Sequence, residues 1–242
     1  SYRDVLGYMP QQQGLYDRFS ALEFLRYFAA LKGNGTVWTW GYNGYGELGN
    51  GTTTSSTEKV QVKSPDGEGV LENIVAISAG NYHSMAIDKE GNVYTWGYNQ
   101  NGQLGDGTTA NTTKFHKVKG ENGVGYLQNI VQIVSEDYTS HALTADGSVY
   151  SWGYNRYGQF GNNTGTGEDA NPYPVKMQKV SNIIQMSTGE EHISMLDADG
   201  SVWSVGSNGN GQFGTNSAEG TSLPTQMLDT DRKSVLYGVK EI

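Results

Sequence analysis

The chain has 242 residues, of which 34 are Gly and 16 are Tyr, and its charged residues make up 17%. The abundance of aromatic residues argues against a disordered chain, and together with the many glycines it favours short strands joined by tight turns. The net charge of −9 repels phosphate backbones, so we expect no nucleic-acid ligand. Zero cysteines exclude disulfides, zinc–thiolate sites and cysteine nucleophiles. No apolar run reaches the roughly 18 residues of a membrane-spanning helix, so we expect no membrane span.

Residues 1–33 contain no repeat and differ in composition from the rest of the chain. Ser20 and Glu23 form a capping box in front of an apolar-periodic stretch. Lys32 and Gly33 suit the end of a helix. The sequence therefore predicts a helix over about residues 21–32.

The same segment resembles the Q-loop of ABC transporter ATPases and the helix that follows it. The match consists of LGYMPQ at residues 6–11, GLY at 14–16 and EFL at 23–25. The resemblance implies that Gln11 is the glutamine that senses nucleotide-bound Mg²⁺. However, the chain has no G-x-x-x-x-G-K-[ST] phosphate loop and no LSGGQ-like signature. We therefore treat 1–33 as an ABC-ATPase-like fragment without a nucleotide cofactor, and 34–242 as a second domain.

Four copies of one motif follow, beginning at Gly35, Gly91, Gly147 and Gly200. In each copy, G-x-V-x-x-W-G alternates across a strand and N-x-x-G-[QE]-[LF]-G forms a tight turn. The fourth copy departs from the pattern, because Val205 replaces the second tryptophan. We assign a structural role to the recurring motif residues Trp40, Gly41, Asn43, Trp96, Gly97, Asn99, Trp152, Gly153, Asn155, Gly206 and Asn208.

A second motif begins at Val70, Tyr126 and Val180, and its opening recurs over residues 235–242. It predicts two more short strands, which gives about four strands in each repeat of roughly 55 residues, as in one blade of a β-propeller. His83 and His192 recur at the same place in this motif. Their recurrence indicates packing or hydrogen bonding, not metal binding.

Together the two motifs resemble the regulator-of-chromosome-condensation repeat over residues 34–242. The resemblance implies an all-β fold of antiparallel β-propeller blades: a partial propeller with about four repeats of a normally seven-bladed ring, beside the short N-terminal helical segment. In the middle copy, Glu136 and Thr139 replace the glycine and histidine of the second motif, so we expect a local distortion of that blade.

The sequence contains no recognisable catalytic set, metal site or cofactor site. The acidic pairs Glu136-Asp137 and Glu190-Glu191 fall in turns between strands, where we expect solvated charges. The tryptophans are expected in the core. They are Trp38, Trp40, Trp96, Trp152 and Trp203.

We interpret the chain as a non-catalytic scaffold that binds another protein, whose identity the sequence does not give. Two alternatives are a remnant of an ABC transporter ATP-binding subunit fused to propeller repeats, and a bacterial cell-surface module that binds carbohydrate or protein. ATP affinity would distinguish the first alternative. An open arc of blades would also self-associate through its edges. In that case we expect exposed strand surface at Val37 and Trp38 and at Val202 and Trp203.

Overall fold

The computed structural model describes residues 27–164, 167 and 169–242. In this part of the chain, the regular structure is β-strand apart from one 3-10 turn at Glu121–Gly123. Its fifteen strands form four antiparallel sheets, and strands adjacent in sequence are adjacent in each sheet. The structure therefore confirms the all-β fold of antiparallel blades. Within the described residues, no helix is long and apolar enough to cross a membrane.

The four sheets are called blades 1 to 4. Blade 1 contains β1 (Tyr27–Leu31), β2 (Val37–Gly41) and β3 (Ser56–Gln61), which correspond to the second, third and fourth strands of the other blades and are counted as such. Blade 2 contains β4 (Ile74–Ala79), β5 (His83–Asp88), β6 (Val93–Gly97) and β7 (Thr112–Lys117). Blade 3 contains β8 (Ile130–Ser135), β9 (Thr139–Thr144), β10 (Val149–Gly153) and β11 (Asn171–Lys176). Blade 4 contains β12 (Ile183–Thr188), β13 (His192–Asp197), β14 (Val202–Gly206) and β15 (Thr221–Gln226).

The hydrophobic core lies between successive blades. Strand β1 contacts β4, β4 contacts β8, and β8 contacts β12. Between blades 1 and 2, for example, Val37 packs in one cluster with Ile74 and Trp96. Equivalent clusters join blades 2 and 3 and blades 3 and 4. Because a middle strand is covered on both faces, every residue of β5 is buried.

The last residues of the chain pack against blade 4 in the way that each blade packs against the one before it. The Val239 amide donates to the Gly200 carbonyl at 3.1 Å, just as Ile183 donates to Gly147 at 3.2 Å. The Gln185 side chain pairs with both backbone groups of Ile242 at 3.1 Å. Residues 239–242 therefore lie against β12 in the place that β12 takes against β8.

The helix predicted over 21–32 is wrong for Tyr27–Leu31, which forms strand β1. This strand pairs antiparallel with β2, from Leu31 opposite Val37 to Tyr27 opposite Gly41. The backbone of β2 supplies hydrogen-bond partners from outside the segment, and tertiary pairing of this kind overrides local helix propensity. Residues 21–26 lie outside the described residues. The domain boundary after Gly33 stays a prediction.

The distortion expected in the middle copy is also wrong. In blade 3, Ser135 lies opposite Ser140, just as Ala79 lies opposite Ser84 in blade 2. The Glu136 amide donates to the Thr139 carbonyl at 3.1 Å, and Gly80 and His83 make the same bond at 2.9 Å. The turn is held by backbone bonds, so it accepts other side chains.

The exposure expected at Val37 and Val202 is wrong as well, because these side chains are only 1% and 3% exposed. After the last strand of each blade, the chain folds back across the start of the third strand. In blade 1 the Val62 amide donates to the Val37 carbonyl at 3.2 Å, and in blade 4 Met227 donates to Val202 at 2.9 Å. In blade 1 this returning segment also brings Val62 into the hydrophobic cluster that contains Val37. Trp38 and Trp203 are half-buried.

Candidate functional site

A buried asparagine fixes the turn after the third strand of each blade. In blade 2, Oδ1 of Asn99 accepts the Leu104 amide at 2.9 Å, and its Nδ2 donates to the Thr108 carbonyl at 3.1 Å. The Asn99 side chain is thus hydrogen-bonded to two separate stretches of the loop. The equivalent residues accept the corresponding amide at 2.9–3.0 Å; they are Asn43, Asn155 and Asn208.

The glycine before this turn brings two loops of one blade together. Gly97 has a φ of +109°, and a Cβ on it would lie 2.6 Å from the Tyr82 carbonyl oxygen. The following amide, that of Tyr98, donates to the same carbonyl at 2.9 Å. The equivalent glycines also have positive φ; they are Gly41, Gly153 and Gly206. This geometry places Tyr98 beside Tyr82.

Tryptophans connect one blade to the next. The Trp96 indole is fully buried and donates from Nε1 to the Glu47 carbonyl of blade 1 at 2.8 Å. Trp152 makes the same bond to Gln103 of blade 2 at 2.8 Å. Trp40 in blade 1 is half-buried.

The contact between blades 3 and 4 differs. In blades 2 and 3, Ser84 and Ser140 add a second hydrogen bond to the same carbonyls, at 3.2 and 2.8 Å. In blade 4, Val205 and Ile193 stand at the tryptophan and serine positions, and both are fully buried. Apolar packing therefore replaces both side-chain donors there.

The buried histidines bind neighbouring serines. His83 Nε2 lies 2.8 Å from Ser140 Oγ in the next blade, and His141 Nδ1 lies 2.8 Å from Ser151 Oγ. Burial lowers the pKa of both imidazoles to about 3. His192 is half-buried, and its ring centroid is 6.4 Å from that of Phe213. The described part of the chain contains no group of His, Asp or Glu that could hold a metal ion.

A continuous row of tyrosine rings crosses blades 1 to 3, and we call it the tyrosine ribbon. Tyr45 contacts Tyr98 with ring centroids 4.9 Å apart, and Tyr82 stacks on Tyr138 at 5.5 Å with an interplanar angle of 7°. All of these rings are half-buried, so part of each ring is exposed to solvent. The ribbon consists of Tyr42, Tyr45, Tyr82, Tyr98, Tyr138, Tyr154 and Tyr157.

Four carboxyl groups border the ribbon and form what we call the acidic cluster, Glu136, Asp137, Glu190 and Glu191. Burial, together with the charges of Glu190 and Glu191, raises the pKa of Asp137 to about 6. Burial and the neighbouring carboxylates raise the pKa of Glu136 well above its usual range. Interaction with Glu191 also raises the pKa of Tyr157 in the ribbon.

The expectation of solvated acids is therefore wrong for Glu136, which is only 7% exposed. Asp137 is half-buried and accepts a hydrogen bond from the Asn81 side chain of blade 2. Both acids lie where two blades meet, and a single repeat does not show that proximity. Glu190 is exposed, as expected.

Sequence reasoning did not identify the tyrosine ribbon as a site. A signal was present, because the tyrosine of W-G-Y-N recurs in three copies and Tyr82 and Tyr138 occupy the same place in the second motif. The sequence pattern does not show that tyrosines of successive repeats lie close together in space. Tyr82 and Tyr138 are 56 residues apart in sequence, but their rings are stacked.

Comparison with known proteins identifies the family of the fold. The family model described as RCC1-like domain matches residues 25–240. E3 ubiquitin-protein ligase HERC2 of Mus musculus is 30% identical over 212 residues, which cover 87% of this chain and 4% of HERC2. Ultraviolet-B receptor UVR8 of Arabidopsis thaliana is 28% identical over 79% of this chain and 41% of the receptor.

A solved structure of yeast RCC1 (Prp20) bound to Kap60 has the same fold. It aligns with a TM-score of 0.69 at 22% identity, covering 85% of this chain and 47% of that chain. Human WBSCR16 aligns with a TM-score of 0.67 over 49% of its length. The chain thus spans less than half of the length of each of these relatives.

Proposed function

We propose, because this chain belongs to the RCC1-like domain family, that it is a non-catalytic scaffold that binds another protein through the tyrosine ribbon. The observation that carries the proposal is the continuity of the ribbon, in which seven half-buried rings touch across three blades. Tyrosine is enriched at protein interfaces, because its large rigid ring gives contact area and its hydroxyl group gives hydrogen bonds.

The backbone beneath the ribbon supports a binding role. Tyr98 and Tyr154 follow glycines of positive φ, and their amides donate to the carbonyls of Tyr82 and Tyr138 at 2.9 Å. The rings are therefore held in place before a partner arrives, which lowers the entropic cost of binding.

A relative supports a protein as the partner. Yeast RCC1 was solved bound to Kap60, and we propose that the present chain also takes a protein ligand. A non-catalytic role agrees with the placement of the histidines, since His83 and His141 are fully buried and bond to serines. We accordingly expect no ATP turnover, since Gln11 has no phosphate loop beside it in the sequence.

The test compares partner capture by three forms of the full chain. The first is the wild type, and the second carries Tyr45→Ala and Tyr98→Ala, which remove the closest ring pair of the ribbon. The third is a control with Tyr126→Ala and Tyr237→Ala, because these side chains are 49% and 62% exposed and lie outside the ribbon. Each form is immobilised and exposed to a lysate of the source cells, and the retained proteins are identified by mass spectrometry and rebound in purified form.

We expect the wild type and the control to retain the same protein, and the ribbon variant to lose it. Removing two interface tyrosines typically weakens binding by about 2–4 kcal/mol, which is more than tenfold. Equal retention by the ribbon variant, with its fold intact by circular dichroism, would contradict the proposal.

A further inference from the structure

Blade 3 contains a cavity at the end of β9 that lies away from the tyrosine ribbon. Tyr138 of the ribbon precedes β9, whereas Thr144, the last residue of β9, lines the cavity. The walls come from the turn before β10 and from the loop between β7 and β8. The volume is about 400 Å³, which falls within the range of about 300–1,000 Å³ that is typical of small-ligand sites. We call it the blade 3 cavity.

One hydroxyl group in this cavity, that of Tyr150, lacks the partner found at the same position in other blades. In blade 2 the Tyr94 hydroxyl donates to Asp88 at 3.0 Å, and in blade 4 the equivalent tryptophan donates to the equivalent aspartate at 2.8 Å. Blade 3 has Thr144 at the position of these aspartates. Tyr150 is half-buried, and its hydroxyl makes no hydrogen bond with any described residue. This hydroxyl is therefore available to a ligand.

Other polar side chains of the cavity supply donors and acceptors near this hydroxyl. Burial raises the pKa of Tyr150, and the charges of Glu121 and Asp146 raise it further, so both carboxylates lie near the ring. Gln128 and Asn129 also line the cavity, are exposed, and form no side-chain hydrogen bond within the part of the chain that the structure describes. Carboxylates accept hydrogen bonds, whereas amides and a phenol both donate and accept. Such a set suits a ligand with several hydroxyl groups, because each hydroxyl also donates and accepts.

Lysines beside the cavity offset the charge of its carboxylates. The Nζ atoms of Lys117 and Lys119 lie 5.2 and 4.9 Å from the centre of the Tyr126 ring, which forms part of the wall. Lys176 interacts with the Asp146 carboxylate. Because charges of both signs are present, the cavity favours a neutral ligand over an organic cation or an anion.

Part of the wall is apolar and open to solvent. Val124 is 80% exposed and Tyr126 is 49% exposed. Aliphatic and aromatic side chains pack against the C–H groups of a ligand, while a few polar groups fix its orientation. A pyranose sugar meets both requirements, because its hydroxyl groups project around the rim of the ring and its C–H groups form apolar patches on the faces.

We propose that the blade 3 cavity binds a neutral hexose, either as a free sugar or as a unit of a glycan. The sugar hydroxyls bond to Glu121, Asp146 and the Tyr150 hydroxyl, and a C–H face packs against Val124 and Tyr126. Blades 2 and 4 do not share the site, because an aspartate already occupies the corresponding donor there. None of these residues belongs to the tyrosine ribbon, so the site is independent of the proposed function.

Binding is measured on the full chain, labelled with ¹⁵N, by two-dimensional NMR, which identifies the amides that a ligand perturbs. The probes are the methyl glycosides of glucose, galactose and mannose, with glucosamine as the cationic comparison and glucuronic acid as the anionic one. The disaccharides maltose, lactose and mannobiose distinguish a glycan unit from a free sugar. Concentrations reach about 50 mM, which detects dissociation constants in the millimolar range.

Two variants change the cavity while keeping its fold. Thr144→Asp gives the Tyr150 hydroxyl the acceptor that is found in blade 2, so this variant loses the free donor. The second variant, Tyr150→Phe with Glu121→Gln, removes the hydroxyl and one carboxylate with little change in side-chain size. The matched control is Tyr237→Phe with Glu219→Gln, which makes the same two changes at exposed positions elsewhere.

We expect at least one of the three hexosides to shift the amides of residues 120–125 and 144–150 in the wild type and in the control. Both cavity variants should bind that hexoside about tenfold or more weakly. Glucosamine and glucuronic acid should bind more weakly than the neutral sugar. Tighter binding of a disaccharide that contains the same hexose would assign the site to a glycan, and equal binding would assign it to the free sugar.

Three results would each overturn the inference. The first is the absence of a shift at these amides with all three hexosides. The second is unchanged binding by both cavity variants while their spectra show an intact fold. The third is equal or tighter binding of either charged sugar, since this would contradict a site for a neutral ligand.

Discussion

Trp96 joins blades 1 and 2 by two different contacts. Its ring packs in the cluster that contains Val37, Val62 and Ile74, and its indole N–H donates to the Glu47 carbonyl at 2.8 Å. The approach is close enough that a Cβ on Gly49 would lie 2.8 Å from the indole nitrogen. Any larger residue in place of Gly49 would collide with the Trp96 ring, so this glycine is needed for the ring to pack there.

We predict that Trp96→Ala lowers the free energy of unfolding by about 3–5 kcal/mol, because it leaves a large cavity and removes a bond between blades. Urea denaturation followed by circular dichroism measures this change. The control is Tyr237→Ala, whose side chain is 62% exposed and whose loss should cost less than about 0.5 kcal/mol. A loss below about 1 kcal/mol in Trp96→Ala would show that the indole does not hold the blades together.

At the scale of the structural element, the turn after each third strand depends on one asparagine. Asn99 is fully buried and bonds to Leu104 on one side and Thr108 on the other. Without it, the Leu104 amide loses its acceptor inside the protein, and an unsatisfied buried donor costs about 1–3 kcal/mol.

Asn99→Ala should therefore speed hydrogen exchange at the Leu104 amide and lower the free energy of unfolding by about 1–3 kcal/mol. Asn99→Asp is the matched variant, because it keeps an oxygen for Leu104 while it loses the donor to Thr108. In this variant the Leu104 amide should stay protected even though the protein is less stable. Unchanged protection of Leu104 in Asn99→Ala, measured by NMR, would refute the role of the asparagine.

The middle strands carry the buried histidines, and these link stability to pH. An ordinary histidine titrates near 6.5, but burial lowers the pKa of His83 to about 3 in the folded protein. Because the folded pKa lies below the unfolded pKa, the stability from this neutral ring is present above pH 6.5 and is lost as the pH falls from 6.5 towards 3. At pH 5 the loss is on the order of 2 kcal/mol.

We predict that the loss in free energy of unfolding between pH 7 and pH 5 is smaller by about 2 kcal/mol in His83→Gln than in the wild type. The raised carboxyl groups Glu136 and Asp137 act in the opposite direction, but they titrate in both proteins and cancel in the difference. The control is His116→Gln, which removes a histidine at an exposed position on β7 and leaves His83 in place. An identical slope in wild type and His83→Gln would mean that burial does not lower the pKa of His83 in the folded protein.

For the whole molecule, local patterns predicted what lies inside one repeat. The alternation of G-x-V-x-x-W-G gave the third strand of each blade, and the repeat spacing gave the number of blades. Strand β1 was missed, because its conformation comes from pairing with Val37–Gly41 and not from its own helical pattern. The burial of Glu136 was missed for a related reason, since blade 4 and blade 2 close around it.

The candidate site exists only when the blades are assembled. Each tyrosine belongs to one repeat, but the ribbon is formed by contacts between repeats, such as Tyr45 of blade 1 with Tyr98 of blade 2. Self-association through open blade edges and the ABC-like origin of residues 1–33 both stay predictions. Light scattering on the isolated chain tests the first, and ATP binding tests the second.

The central claim is that successive repeats stack as blades and so bring their tyrosines into one ribbon, and dityrosine cross-linking tests it most directly. Photo-oxidation of the dilute monomer joins tyrosine rings that touch, and mass spectrometry identifies the joined peptides. We predict links between Tyr82 and Tyr138 and between Tyr45 and Tyr98, whose centroids are 5.5 and 4.9 Å apart. We predict no link to Tyr237, which lies outside the ribbon. Absence of both links, or links to Tyr237 at the same frequency, would contradict the account.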